Sequence, residues 1–282
     1  SVICIGMGNE GASAGHTAGI LKENTEERIP LAVQMKETAI NVQIWKSYHD
    51  IVDISLISPA GVQIGPIPEV IGTQRFVVGD TEILLYYGEP SPFHVSQEIF
   101  IEFLPKDSYI TPGIWQFVLT PRKIVTGEYD LWLPSENVLN RGTAFRYPTE
   151  RGTLTIPSTS QRVISVGAYD SLTFAYADFS GRGGLEGESK PDLVAPGVDI
   201  TAPTPSGIYQ TFTGTSFATP FVSGAAALMM EWGIVRGNDP YLYGEKVKAY
   251  LRRGARPLPG FTEYPNPQVG YGALCLRDSL PE

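Results

Sequence analysis

GTSFATPFVSGAAAL, residues 214–228, decides how this chain is to be understood. A serine, Ser216, follows a glycine turn and opens a run of small and apolar residues suited to a buried helix. Serine before a helix is ordinarily an N-cap, its oxygen accepting a backbone N–H two or three residues on. A helix N-terminus also presents unsatisfied N–H groups and a partial positive charge, where an oxyanion is welcome. One reading makes Ser216 a cap; the other makes it a nucleophile beside its own anion-stabilising groups.

The context favours the nucleophile. Residues 214–224 fit G-T-S-x-A-x-P-x-V-x-G, KPDLVAPG (190–197) lies about twenty residues upstream, and GNEG (8–11) stands near the start. RVISVGAYD (162–170) and AYADFSGRG (175–183) add a buried strand and a turn. Together these resemble the subtilase family of serine proteases. The resemblance implies that Ser216 attacks the scissile carbonyl. Asn9 and the backbone N–H of Ser216 then hold the developing charge. It further implies that Gly6, Met7, Gly8, Gly214 and Thr215 border the substrate, with Met7 narrowing the cleft. Gly214 would let substrate backbone approach, while Ala218 and Gly224 would let the helix pack closely. Ile156-Pro157 falls where many family members carry a cis proline beside the substrate pocket.

Texture divides the chain into three parts. Residues 1–27 read as a strand emptying into the glycine-rich loop with Asn9. Residues 28–147 alternate with period two: Ile40, Val42 and Ile44 on one face, then Ile99, Ile101 and Phe103, with turns such as SPAG and GEPSP between strands. Such a pattern predicts an inserted all-β antiparallel sandwich, jelly-roll-like or immunoglobulin-like. Residues 148–282 return to mixed helices and apolar strands. The fold class expected is therefore an α/β subtilisin-like domain, present in part, interrupted by a β-sandwich. About two hundred residues separate Asn9 from Ser216, and surface loops tolerate insertions of that kind.

Ser216 needs a base. Subtilases order their triad Asp, His, Ser, with the oxyanion asparagine between His and Ser. His16 follows Asn9, and His49 and His94 fall in the inserted region. The Asp and His segments are therefore expected upstream, in a missing N-terminal half of the same protein, and the chain alone is expected to be inactive. The asparagine loop running into GASAGH (11–16), followed by a β-rich insert, resembles the clostridial germination-specific proteases of spores, the Csp group. That likeness implies limited proteolysis of a cortex-lytic precursor and a secreted or spore-associated location. The competing reading is a non-catalytic homologue whose insert binds a regulator or partner. A third makes the insert a sugar binder through Trp45, Trp115 and Trp132.

The resemblance implies a protein or peptide substrate, and composition argues against other partners. The net charge of −9 argues against nucleic acid. No apolar stretch reaches the roughly 20 residues a membrane helix needs, so no membrane association is expected. Cys4 and Cys275, the two cysteines, make no disulfide framework, and Cys4 reads as a buried free thiol. No metal is expected and no cofactor is required; calcium is common in the family, but no acidic cluster marks a site.

Overall fold

The computed structural model describes residues 1–184 and 190–281. The chain forms two compact units, one of Ser1–Ala12 with Glu150–Glu282, the other of Ser13–Thr149. The first unit begins with β1 (Cys4–Gly6). The second holds β2 (His16–Ile20), β3 (Glu27–Val33), β4 (Ile40–Ser47), β5 (Ile51–Ile57), β6 (Gln63–Ile67) and β7 (Gln74–Val78). It continues with β8 (Thr81–Tyr87), β9 (Ser96–Pro105), β10 (Gly113–Lys123), β11 (Glu128–Trp132) and β12 (Ala144–Phe145). The first unit resumes with β13 (Ile164–Tyr169), β14 (Leu193–Pro196), β15 (Ile200–Pro203) and β16 (Tyr209–Phe212). Its helices are α1 (Thr215–Met230), extended by a π-helical turn over Glu231–Val235, α2 (Gly244–Arg253) and the short α3 (Leu276–Ser279).

The second unit consists of two antiparallel sheets, ordered β12-β3-β10-β5-β6 and β2-β11-β4-β9-β8-β7. Period-two alternation sets the register. Ile40, Val42 and Ile44 of β4 stand opposite Phe103, Ile101 and Ile99 of β9, and all six are buried. Leu31, Phe117 and Trp115 from the other sheet join them in one apolar core. Trp115 lies wholly inside this core and donates Nε1–H to the Thr111 carbonyl at 2.9 Å, so it is unavailable for stacking on a sugar. Asp50 closes the loop before β11. Its buried carboxylate accepts the N–H groups of Val125, Thr126 and Gly127 and the Thr126 hydroxyl, at 2.6–3.0 Å.

This unit starts at Ser13, whereas the texture of the sequence put the boundary at residue 28. The reason is a long-range pairing. β2 runs antiparallel to β11, with His16 opposite Trp132 and Ile20 opposite Glu128. The unit's two ends are also tied together, Phe145 N–H to the Ala14 carbonyl (3.1 Å) and Thr149 N–H to the His16 carbonyl (2.8 Å).

In the first unit β1, β13 and β14 form a parallel sheet, with Cys4 opposite Ile164 and Val166 opposite Leu193. Helix α1 packs its small side onto this sheet: Ala218, Val222, Ala225, Ala226 and Met229 are buried with Ile164, Val166 and Leu193. Gly224 does not serve close packing, because a Cβ there would meet nothing within 4 Å. The helical run Thr215–Val235 is also long and apolar enough to span a bilayer, which the sequence reading did not anticipate. Ser, Thr and Gly interrupt the apolar letters without making the helix polar overall. Cys4 and Cys275 are free and half-buried, and burial pushes the Cys4 thiol pKa up.

Under the sheet sits a charged knot. Asp192, 0% exposed, accepts Ser165 N–H (2.6 Å), the Ser165 hydroxyl (3.0 Å) and Arg252 Nε–H (2.6 Å). The ammonium groups of Lys190 and Lys248 stand 3.5 and 3.3 Å away. Both lysines also donate to the Val163 carbonyl, so the knot ties β13, β14 and α2 together. Desolvation is the main influence on Lys190 and lowers its pKa.

Candidate active site

Ser216 is exposed in the first turn of α1, and the residues on either side explain its placement. Gly214 is the N-cap, at φ +150°, and its N–H is held by the carbonyl of Gly197, just past β14, at 2.8 Å. A glycine cannot cap a helix with a side chain. The missing acceptor comes from Asn9, whose Oδ1 receives Thr215 N–H at 3.0 Å and the Thr215 hydroxyl at 3.1 Å. Because a backbone N–H can only donate, the atom facing it is the amide oxygen, and the orientation of the Asn9 amide is thereby fixed. Its Nδ2 lies on the side of Gly214, 3.3 Å from where a Cβ would stand.

The loop that carries Asn9 is itself held from several sides. Met7 donates its N–H to the Val166 carbonyl (3.0 Å) and accepts Thr155 N–H (3.1 Å). The Gly8 carbonyl accepts Gly181 N–H (3.0 Å), and Gly11 N–H reaches the Phe179 carbonyl (2.9 Å). Gly8 N–H also donates to Thr215 Oγ1 at 3.2 Å, so that hydroxyl joins both the loop and the Asn9 amide. Gly8 sits at φ +96°, and a Cβ there would come within 2.6 Å of the Thr155 side chain. The Ile156-Pro157 bond, directly after this threonine, is cis.

Chemically, the arrangement places an exposed hydroxyl at a helix start whose first N–H groups have no partner within the helix, beside a side-chain amide of fixed orientation. Ser216 N–H is one of those groups by position. An anion forming there would meet a positive helix end and hydrogen-bond donors already in place. Of the residues singled out in the sequence, Asn9, Gly6, Gly8, Gly214 and Thr215 come together here with Ser216. Met7 departs from expectation: its side chain is 0% exposed, packed toward Gly167, so it cannot border a cleft. Thr215 is buried, and its hydroxyl is spent on Gly8 and Asn9; it positions the site. Sequence reasoning missed Thr155 and Gly197, whose only signals are their places in TLTIP and at the end of KPDLVAPG. Among the described residues, no group of three or more His, Cys, Asp or Glu is placed to hold a metal ion.

Residues 147–272 match the Subtilase family. That stretch is a subtilase segment. The solved structure of the Clostridium perfringens CspB protease superposes on 99% of this chain with a TM-score of 0.91 and 40% identity, covering 58% of the CspB chain. The serine protease AprX of Bacillus subtilis is 34% identical over 150 residues, which are 46% of this chain and 32% of AprX. Subtilisin of Bacillus pumilus is 42% identical over 78 residues, 28% of this chain and 26% of that protein. The chain thus spans about a third or less of these two curated relatives. All three of its histidines lie within Ser13–Thr149, so the unit that bears Ser216 has none.

Proposed function

We propose that the protein is a serine endopeptidase of the subtilisin type and that this chain supplies its nucleophile and oxyanion donors. The observation that carries the reading is the exposed Ser216 at the start of α1, with Asn9 locked through Oδ1 so that Nδ2 remains for a ligand. Ser216 Oγ adds to the scissile carbonyl while its proton passes to a histidine base carried by polypeptide outside these 282 residues. Ser216 N–H and Asn9 Nδ2 receive the oxyanion. Collapse of the tetrahedral species breaks the C–N bond, the amine leaves with the proton from the histidine, and an acyl-enzyme remains for water to hydrolyse. This chemistry requires no cofactor.

The likeness to CspB supports a narrower reading, in which the substrate is a cortex-lytic precursor cut at a limited number of bonds and the enzyme is secreted or spore-associated. The paired antiparallel sheets of the second unit support a jelly-roll-like insert. A second reading, a non-catalytic homologue, draws on the lack of histidine in the Ser216 unit. The test compares this chain, the full-length protein and its Ser216→Ala variant for peptide cleavage and fluorophosphonate labelling. We expect labelling and turnover from the full-length protein alone. An inactive but folded full-length protein establishes the second reading. Ser216-dependent cleavage by this chain refutes an external base.

A further inference from the structure

Ion pairs on the surface of this chain mostly match one arginine with one carboxylate: Arg28 with Glu26, Arg75 with Glu82, Arg122 with Asp53, Arg236 with Glu231. Acidic side chains outnumber Lys and Arg by 30 to 21, so partners are in surplus. One place in the first unit reverses that balance. A cleft of about 820 Å³ opens where the end of α2 meets α3, lined by Arg253, Arg256, Arg277, Asp278, Leu280 and Pro281. Three guanidinium groups share it with one carboxylate. That carboxylate is already engaged, Asp278 Oδ2 accepting Arg256 Nε–H at 2.6 Å. Arg253 and Arg277 are exposed, and neither makes an ion pair among the described residues. Arg253 instead lies over the Tyr250 ring, 5.2 Å from its centroid. The backbone holds the three like charges together. Arg256 and Ala273 exchange N–H and carbonyl bonds of 2.8 Å. Gly254, just past α2, lies so close to α3 that a Cβ there would stand 2.3 Å from Ser279 N. None of these residues takes part in the Ser216 site.

We propose that this cleft binds a phosphate group carried on a larger molecule. Guanidinium groups present N–H donors in a planar fork that matches the oxygens of phosphate or carboxylate two at a time. A carboxylate has two oxygens and one charge, and Asp278 shows what it achieves here: it satisfies Arg256 and leaves Arg253 and Arg277 unmatched. A phosphate group brings a third oxygen and a second charge, enough to engage both. Because the arginines are already held side by side, their mutual repulsion is built into the unliganded protein, and an anion relieves it at little ordering cost. A concave positive site on an acidic molecule also concentrates anions locally. The volume is that of a small-ligand site and far exceeds a bare phosphate, so the group arrives as a substituent, with Leu280 and Pro281 as the apolar wall for the remainder. A soluble phosphate ester and a phospholipid headgroup share this chemistry. Either one, once bound, straps the end of α2 to α3.

Titration calorimetry of this chain with inorganic pyrophosphate, and with malonate at matched ionic strength, reads the site. We expect one equivalent of pyrophosphate, bound roughly tenfold or more tighter than the dicarboxylate. The double variant Arg253→Gln/Arg277→Gln should weaken pyrophosphate roughly a hundred-fold, about tenfold for each charge-assisted pair lost. Both side chains are exposed, so the variant should keep the circular dichroism of the parent. Arg141→Gln/Arg146→Gln removes two exposed charges from the second unit and should bind as the parent does. Bound pyrophosphate should raise the thermal midpoint of the parent and not that of the Arg253→Gln/Arg277→Gln variant. Glycerol 3-phosphate and phosphatidic acid vesicles then separate the two sources. Vesicle binding that needs Arg253 and Arg277 and exceeds binding of the soluble ester assigns a headgroup; the opposite order assigns a soluble ester. The proposal is overturned if pyrophosphate binds no more tightly than malonate or if the Arg253→Gln/Arg277→Gln variant binds like the parent. Equal loss in Arg141→Gln/Arg146→Gln also overturns it, because net charge alone would then be attracting the anion.

Discussion

Asn9 has two jobs on two different atoms, and a pair of substitutions separates them. Its Oδ1 caps α1 through Thr215, and its Nδ2 is the proposed oxyanion donor. Asn9→Ala removes both. It deletes two hydrogen bonds of 3.0 and 3.1 Å and leaves Thr215 N–H without an acceptor. At about 1 kcal/mol per bond the loss is roughly 2 kcal/mol, within the range of a deleted helix cap. For a unit of this size that lowers Tm by about 4–8 °C. Asn9→Asp keeps the acceptor and places a negative charge at the helix start, worth about 0.3–1 kcal/mol where exposed. Its stability should stay within about 1 kcal/mol of the parent. Turnover of the full-length enzyme should fall roughly a hundred- to a thousand-fold in both variants, the range set by loss of one oxyanion donor in subtilisin, a relative. Urea unfolding of this chain and peptide cleavage by the full-length protein read the two effects. If Asn9→Asp is as destabilised as Asn9→Ala, or if Asn9→Ala unfolds like the parent, the capping role is wrong.

Three further outcomes follow from the packing. Burial alone would raise the Asp50 pKa, but its four hydrogen bonds hold it below the ordinary carboxylate value, so it stabilises the second unit above pH ~4 and ceases to as pH falls through the depressed value. Acid unfolding between pH 5 and 2 should therefore flatten in Asp50→Asn, and an unchanged acid slope would contradict this. Asp192→Ala strands three cations around a buried void and should destabilise the first unit by about 3–5 kcal/mol, as urea unfolding followed by circular dichroism would show. Gly8→Ala meets both a left-handed backbone and the Thr155 side chain, so it should destabilise by about 1–3 kcal/mol. Pairing it with Thr155→Ala should recover part of that loss; full additivity in the thermodynamic cycle would show that the two do not touch.

Much of the second unit was legible because alternation is local. The faces of Ile40–Ile44 and Ile99–Phe103 follow from period two, and so does their mutual pairing once both are strands. The placement of β2 was not legible, since its partner β11 lies more than a hundred residues away and nothing in HTAGI declares it. At the site, the GTS and GNEG segments singled out in the sequence do come together, and Gly8 and Gly214 sit there with positive φ. Met7 misled because strand-to-loop position does not tell which way a side chain turns; the Val166 hydrogen bond continues the sheet through it and turns it inward. The Asp192 knot went unread because Arg252 lies 60 residues from Asp192 and neither it nor the lysines carry any mark of burial.

The hydrogen bonds that join Ala14 to Phe145 and His16 to Thr149 give the inserted unit the character of a staple. While it is folded, the protease-like unit experiences its two ends as neighbours, and the long excursion between Ala12 and Glu150 counts for no more than a tight turn. If the insert melts, the same excursion becomes a floppy loop, whose closure costs roughly 3 kcal/mol more than a turn of a few residues. The cap that Asn9 places on α1, across 206 positions of sequence, would then have to be held against that entropy. Damage in the strands of the insert would thus loosen the nucleophile's seat. Replacing Ser13–Thr149 by a short glycine-serine turn should spare it, and the thermal transition of the shortened chain measures the difference.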